Sequence, residues 1–476
     1  MELRNFLEIP YDELEQLNLE AKERQLSQND EKSRDYYIKY LDDEKRIKAV
    51  TIGFCDLEGR LHMLDYDKKF LLASYDNLTF DGSSVRGYTE VSESDLKLEV
   101  DWSSFRWLPS DVFGPGKVFI FGLIKDRQGN TYPGDFRGLL KEYLKTIKDQ
   151  HKFTTNVAVE CEGFLFAGKN AEQNFSSRDG FEMVAKGGYY NSLPKDPLRL
   201  FIDAMAEAQR ALGFENEKDH PEVAPAQFEL NYKYCDALLA ADQIQLYKLV
   251  ARQIANNMGF TASFLPKPIA GINGSGMHTN ISISKEGKNL FFDAKGQDKL
   301  STMAWDFLNR ILSNAHDLCL IMNSSVNSYR RLDPNYEAPN QIKVSAVDRT
   351  SMVRIPLGNE KSARIEVRTV APDAHPYLTF YSLIKTGLEG QDTTNVDDEK
   401  KRNRTRVLPG NIYDALRVFK TSDYMNELMG PEVKAKFVAL KQNTANRCPR
   451  ELGNLVKTEE ILFHHDVTNQ FIWKRF

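Results

Sequence analysis

The segment Val157-Ala158-Val159-Glu160-Cys161-Glu162-Gly163-Phe164-Leu165-Phe166 restricts the chain more than any other. Its apolar run reads as a strand, and strand alternation puts Glu160 and Glu162 on one face with their Cα atoms about 7 Å apart. Two acids in such a strand are costly unless something cationic meets them. Either salt bridges at a sheet rim or a bound cation would meet that need, and the other segments bear on which.

Arg364-Ile365-Glu366-Val367-Arg368 has the same alternation. Ile365 and Val367 face one way, and two arginines bracket Glu366 on the other, where the carboxylate can neutralise them or share a metal with an anion. Asn273-Gly274-Ser275-Gly276-Met277-His278-Thr279-Asn280-Ile281-Ser282 starts as a glycine turn that lets an anion approach the backbone, and continues as a strand with His278, Asn280 and Ser282 on one face. His220-Pro221-Glu222-Val223-Ala224-Pro225-Ala226-Gln227-Phe228-Glu229 adds two acids. Asn323 to Arg354 carries Arg330, Arg331, Arg349 and Arg354, with Glu337 in a turn. Taken alone, each segment has a bland reading as a salt-bridged rim, a tight turn or a solvated basic surface. Together they supply carboxylates and a histidine without thiolates, a donor set for Mg²⁺ or Mn²⁺, and arginines suited to phosphoryl oxygens. No G-x-x-x-x-G-K-[ST] or G-x-G-x-x-G loop occurs. The residues read as a two- or three-metal phosphoryl-transfer enzyme whose acceptor they do not name.

A chain of 476 residues exceeds one ordinary core, and a net charge of −5 argues against a nucleic-acid binder. The start lacks a basic and apolar leader, no stretch is long and apolar enough to span a membrane, and the cysteines (Cys55, Cys161, Cys235, Cys319, Cys448) are scattered, so the expected compartment is the cytoplasm. Three parts are expected: a charged helical extension over 1–48, a small antiparallel sheet over 49–132, and a large unit over 133–476. In the last, strands Val157–Phe166, Gly276–Ser284 and Ala363–Val370 interleave with helices Phe136–Ile147, Pro197–Leu212, Ala237–Met258 and Ser301–Met322. This is an α+β pattern with an antiparallel sheet. Gln391 to Arg406 reads as a mobile loop.

Motifs in this order resemble the glutamine synthetase family, in its bacterial long-chain form. They include Phe80-Asp81-Gly82-Ser83-Ser84, Glu160-Cys161-Glu162, Lys186-Gly187-Gly188-Tyr189, Glu222-Val223-Ala224-Pro225, Lys267-Pro268, Asn273 to His278, Asn327-Ser328-Tyr329-Arg330-Arg331-Leu332, Tyr336-Glu337-Ala338-Pro339 and Arg364 to Arg368. The resemblance implies a small N-terminal β-grasp domain, then a large catalytic domain with a curved antiparallel sheet and surrounding helices. It further implies a dodecamer of two hexameric rings with active sites between subunits. The expected chemistry joins ammonia to L-glutamate with ATP, through γ-glutamyl phosphate, using two or three Mg²⁺ or Mn²⁺ ions.

By the same resemblance, Glu162, Glu222 and Glu229 would hold one metal, and Glu160, His278 and Glu366 another. Arg331 and Arg368, with the backbone at Asn273 and Gly274, would hold glutamate, and His278 borders that site. Arg349 and Arg354 would handle phosphate, and Glu217, Asn280, Ser282 and Lys361 would contact ATP. Asp81 from a neighbouring subunit, with Ser84, Tyr189, Glu222 and Glu337, would form the ammonium pocket. Asp81, Glu337, Arg349 and Arg368 are the catalytic candidates. Departures are Gly163 where an aromatic is common, Phe228 where His or Asn is usual, and Asn280 where histidine is frequent. Tyr413 resembles the tyrosine that some members adenylylate, although the charged loop before it differs. A γ-glutamyl ligase for another amine, a non-catalytic relative and a phosphotransferase without ligation are the alternatives.

Overall fold

The computed structural model describes residues 6–171, 180–191, 196–269, 271–332, 338–392 and 406–451, with side chains to 446 in the last stretch. The charged start folds into helices α1 (Tyr11–Ser27) and α2 (Asp30–Asp43), the second capped by Asn29, whose side chain accepts from Lys32 N. Their few apolar residues suffice to anchor them. Leu14, Ala21, Tyr37 and Leu41 are buried in one core with the first sheet, and Tyr37 stacks on Phe105 at 4.4 Å.

That sheet contains β1 (Ala49–Cys55), β2 (Leu61–Asp67), β3 (Thr79–Asp81), β4 (Asp95–Val100), β5 (Arg106–Trp107) and β6 (Val118–Lys125) in the order β2-β1-β6-β4-β3, with β5 beside β6. The expectation of an antiparallel sheet needs correcting at one seam. β1 and β6 run parallel, with Ile52 opposite Ile120, because the long intervening segment returns the chain in the same direction.

The second sheet contains β7 (Phe153–Ala167), β8 (Asn216–Pro221), β9 (Gln227–Tyr232), β10 (Cys235–Asp236), β11 (Phe260–Ser263), β12 (Met277–Lys285), β13 (Lys288–Asn289), β14 (Gln341–Ser345), β15 (Ser351–Arg354) and β16 (Ile365–Val367). Its main path is β14-β15-β16-β12-β7-β9-β8, antiparallel except at β14 and β15. Helices Phe136–His151, Pro197–Ala211 and Ala237–Asn257 pack on the sheet, and Pro376–Glu389 packs on the first and third of them, giving an α+β fold.

Two expected elements are shorter than the pattern suggested. The helix drawn from Ser301 to Met322 is two, Thr302–Ser313 and Ala315–Met322. Asn314 interrupts it by donating its side-chain amide to the carbonyls of Arg310 and Gln391. The strand drawn from Ala363 to Val370 spans only Ile365–Val367. Beyond it, the Arg331 guanidinium donates to the carbonyls of Arg368, Thr369 and Val370 at 2.8, 3.2 and 3.3 Å. The expected mobile loop lies largely outside the described residues.

The two sheets are joined by a buried ion network. Asp135 caps the helix Phe136–His151 by accepting from Arg137 N, and Arg137 opens that helix. Its guanidinium grips Asp242 twice at 2.8 Å and Asp101, from the first sheet's side, at 2.7 Å. Tyr377 donates to Asp242, and Lys141 reaches Asp101. Burial works against the charge of Asp101, yet Lys141 and Arg137 hold its pKa well below the usual carboxylate range. Helix α1 adds a second tie. Asn18 pairs with both backbone groups of Trp107 and donates to Ala211 O, and Lys22 donates to Gly213 O.

Replacing Arg137 by Met should cost about 3–5 kcal/mol, since Asp101 and Asp242 would stay buried without their main cation. The readout is the urea midpoint at fixed protomer concentration. A midpoint equal to wild type would show that the two units are held together elsewhere.

Candidate functional site

The acids meet because of register. In the second sheet Glu160 lies opposite His278, Asn280 opposite Glu366, Glu366 opposite Arg354, Glu162 opposite Glu229, and Glu229 opposite His220. Directly opposed side chains share a face, so six neighbouring strands deliver carboxylates, imidazoles and an arginine to one surface. Their other faces, with Val157, Val159 and Cys161, enter the core. The polar surface lines a cavity of about 800 Å³.

On the cavity wall stand Glu160, Glu162, Tyr189, Glu217, Glu222, Glu229, Asn273, Gly274, His278, Asn280, Ser282, Arg331, Arg349, Arg354, Lys361, Glu366 and Arg368. Asp81 and Ser84 do not line it. Asp81 ends β3 at the margin of the first sheet, is exposed, and accepts from Ser83 N, Ser83 Oγ and Ser84 Oγ at 2.9, 2.6 and 2.6 Å. Those hydroxyl bonds lower its pKa. Glu337 lies outside the described residues. Sequence reasoning gave no role to Gln227 and Tyr234, both on the wall, or to His220 beside it, while Arg364, read there as bracketing Glu366, also lines the wall. Alternation along β8 and β9 was a usable signal for His220, which faces Glu229 across them.

Two groups of donors are close enough to share a cation. One ligand atom each from Glu160, His278 and Glu366 lie within 4.8 Å of one another, and so do those of His220, Glu222 and Glu229. The expected second group had Glu162 where the structure has His220. Glu162 faces the same cavity, but one of its oxygens accepts Gly276 N at 2.7 Å, and Gln227 Nε2 approaches it at 3.4 Å.

Glu366, almost fully buried, is partly neutralised by its neighbours. Arg354 donates to it through Nε at 2.6 Å, Arg368 Nε stands 3.3 Å away, and His278 Nδ1 3.7 Å away. The departure at Asn280 now has a role: it donates to Glu160 at 3.2 Å and accepts from Arg364 Nε at 2.9 Å.

Electrostatics separate the two groups. Burial opposes ionisation of Glu160, but His278 outweighs it and holds the pKa at about 2. Glu222 is pushed up to about 7 by burial and then by the charge of Glu162. Glu229 rises well above the carboxylate range through burial and the charges of Glu162, Glu160 and Glu222. Crowded carboxylates with raised affinity for protons, beside imidazoles and without thiolates, fit a divalent cation.

The glycine turn is stapled to these acids. Gln227, buried, donates to Gly274 O at 3.0 Å and Ser275 Oγ at 3.1 Å, and accepts from Ala224 N. A Cβ at Gly274 would sit 2.4 Å from the backbone oxygen of Pro266, which requires glycine there, and one at Gly276 would press on the His278 ring, 2.5 Å from its Nε2. Gly163 is explained by another departure. It faces Phe228, whose ring would lie 2.6 Å from a Cβ at Gly163. The aromatic expected on β7 has moved to β9, and the space is filled once.

Comparisons with known proteins agree with one another. The family model described as glutamine synthetase, catalytic domain, matches residues 133–455, and the glutamine synthetase β-grasp domain matches 46–121. The glutamine synthetase of Methanosarcina mazei is 35% identical over 413 residues, covering 84% of this chain and 91% of its own. That of Thermus thermophilus is 34% identical over 415 residues, covering 84% and 92%. Among solved structures, a GmaS/ADP complex superposes with a TM-score of 0.75 at 26% identity, over 89% of this chain and 99% of its own. Plasmodium falciparum glutamine synthetase gives 0.79 at 20% identity, over 89% and 98%.

Two outcomes are expected from this geometry. Gly163→Phe alone should destabilise the protein by about 1–3 kcal/mol through overpacking, and Gly163→Phe with Phe228→Asn should recover most of that loss. Additive losses in thermal unfolding would contradict the exchange. The raised acids also set a sign for pH. In metal-free protein their contribution to stability is full below the ordinary carboxyl value of 4.5 and is lost as pH rises through about 7 for Glu222. A divalent cation binds the ionised form, so the rise in melting temperature given by saturating Mg²⁺ should grow from about pH 6 to pH 8. A rise that shrinks over that interval would remove these acids from the cation site.

Proposed function

The chain belongs to the glutamine synthetase family, and from that premise we propose how its own residues perform the ATP-dependent ligation of ammonia to glutamate. The reading rests on one observation: one cavity wall brings together two cation-sized donor groups, five arginines and a glycine turn. Glu160, His278 and Glu366 would hold one metal ion, Mg²⁺ or Mn²⁺, and Glu222 and Glu229, with Glu162 beside them, a second. Such ions supply charge neutralisation for phosphoryl oxygens.

Glutamate is held by Arg368 and Arg331 and by the backbone at Asn273 and Gly274, with Gln227 keeping that turn in place. ATP lies toward Glu217, Asn280, Ser282 and Lys361, with Arg349 and Arg354 at its phosphates. The ADP complex among the solved relatives supports a nucleotide in this fold. The γ-carboxylate oxygen of glutamate attacks the γ-phosphorus, ADP leaves, and γ-glutamyl phosphate remains. Ammonium, held by Tyr189, Glu222, Ser84, Asp81 and Glu337, gives one proton to a carboxylate. The resulting ammonia attacks the acyl carbon, and the phosphate departs with the bonding pair of the C–O bond it breaks. Positioning and electrostatic stabilisation carry the rate.

Asp81 and Ser84 are read as a neighbouring subunit's contribution. Their place on the margin of the first sheet, away from their own chain's cavity, supports a site between subunits. We place six subunits in a ring and two rings in the particle, and divide the chain into an extension (1–48), a β-grasp domain (49–132) and a catalytic domain (133–476). A cytoplasmic location is supported by the free thiols of Cys55, Cys161, Cys235 and Cys319. No helix among the described residues is long and apolar enough to cross a membrane. Tyr413 donates its hydroxyl to Ala445 O at 2.7 Å, so adenylylation there would first have to break that contact.

Purified protein given Mg²⁺, ATP, glutamate and ammonia should release phosphate and glutamine in equal amounts; phosphate without an amide product, or preference for methylamine over ammonia, would refute the assigned acceptor. The shared site has its own test. Asp81→Asn and Arg368→Ala oligomers, each inactive, should regain activity when dissociated, mixed and reassembled, because about a quarter of the interfaces would pair an intact cavity with an intact Asp81. No recovery would place Asp81 in its own chain's chemistry.

A further inference from the structure

Asp81 and Ser84 leave the first sheet on a short loop, and what holds that loop lies elsewhere in the same chain. Two residues past Ser84, Arg86 is fixed at both ends. Its carbonyl accepts from Leu57 N at 3.2 Å, and its guanidinium meets Glu58 Oε2 at 2.8 Å. Leu57 and Glu58 belong to the turn between β1 and β2. The next residue, Gly87, has φ +80° and lies so close to that turn that a Cβ would stand 2.6 Å from Leu57 Cβ and 2.9 Å from Leu440 Cδ1. Tyr88 then donates its hydroxyl to Cys55 O, at the end of β1.

The turn is held in its place by the second unit. Gly59 O accepts from Gln245 Nε2 at 3.0 Å, and a Cβ at Gly59 would lie 2.6 Å from the His375 Cα. Lys441, on helix Pro431–Glu451, donates to Glu58 Oε1 at 2.9 Å. The Lys441 side chain is 2% exposed and that of Glu58 14%, so bulk salt screens the pair little. Glu58 therefore divides its two oxygens between a lysine of the large unit and the arginine that follows the Asp81 loop. A buried pair of this kind adds little net stability over packed apolar residues, but its bonds are directional. The backbone contacts fix where the turn lies, and the charged link fixes how the loop lies on the turn.

We propose that Lys441 and Glu58 are positioning residues for ammonium binding in the adjacent subunit. The helix Pro431–Glu451 of one copy sets, through Glu58 and Arg86, where Asp81 and Ser84 enter the next copy's cavity. The inference rests on the reading that Asp81 completes a neighbour's site, and adds to it the source of that residue's geometry. Neither Lys441 nor Glu58 lines the cavity of its own chain. A change in one copy's large unit is then felt in the acceptor pocket of another copy and not in its own.

Lys441→Met keeps the length of the side chain and removes its charge. In the intact oligomer it should raise the KM for ammonium about ten-fold and leave the KM values for ATP and glutamate within about two-fold, because only the acceptor pocket loses alignment. Hybrid oligomers locate the effect. In particles reassembled from Asp81→Asn and Arg368→Ala chains, every active site joins the cavity of an Asp81→Asn chain to the loop of an Arg368→Ala chain. Lys441→Met placed on the Arg368→Ala chain should therefore raise the ammonium KM. The same change placed on the Asp81→Asn chain should leave it at the value of the parent hybrid. Glu58→Gln should follow the same pattern, and the two changes together should do no more than either alone, since they break one link.

An equal rise in both hybrids, a rise only with the change on the cavity-donating chain, or no rise in either would overturn the proposal and leave the shared site standing. An inactive parent hybrid would instead overturn the shared site, and the proposal with it. Should Lys441→Met fail to assemble, Glu58→Gln carried on each chain in turn decides by the same criterion.

Discussion

Mutual repulsion among carboxylates on one sheet face is the constraint on which the rest of the structure depends. Glu160, Glu162, Glu222, Glu229 and Glu366 converge on a single cavity, and a protein that did only this would be paying for charge it could not satisfy. The remedies are visible and differ by position. His278 stabilises ionised Glu160, and Arg354 and Arg368 flank Glu366. Gly276 N–H caps Glu162. Glu222 and Glu229 have no such partner of opposite charge among the described residues and instead hold protons more tightly. That contrast marks where a cation is needed most.

Much of this was legible from alternation. Period-two patterning placed Glu160 with Glu162, and Glu366 between its arginines, because a strand leaves a side chain only two faces. Which strands would be neighbours was not legible, since pairing joins segments far apart in the chain. The association of Glu229 with His220, and the parallel seam between β1 and β6, depend on it. Local competition also escaped the pattern. Asn314 reads as a helical residue, yet its side-chain amide bonds Arg310 O and Gln391 O where the helix breaks, and past the end of β16 the carbonyls accept from Arg331, a residue from another segment. Asp81 was found through a motif, and its separation from its own cavity could be seen only once the first sheet was built.

The departures from the family pattern prove to be coupled to their surroundings. Gly163 and Phe228 are one change seen twice, because they face each other across β7 and β9 and only one ring fits between them. Asn280 does with an amide what needs both a donor and an acceptor, giving to Glu160 and receiving from Arg364. Neither alters the set of charges facing the cavity.

Asn18 and Lys22 grip backbone on both sides of the boundary between the two sheets, close to where Arg137 locks Asp101 to Asp242. The joint is thus fixed by directional bonds at several points rather than by a single apolar contact. In any assembly that closes on itself, each subunit must present its two mating faces at one fixed angle, and a small error in that angle accumulates around the circle until the last contact cannot form. The helical extension, remote from every reacting atom, would in that setting act as a gauge, holding the angle at which one copy's first sheet meets the next copy's cavity.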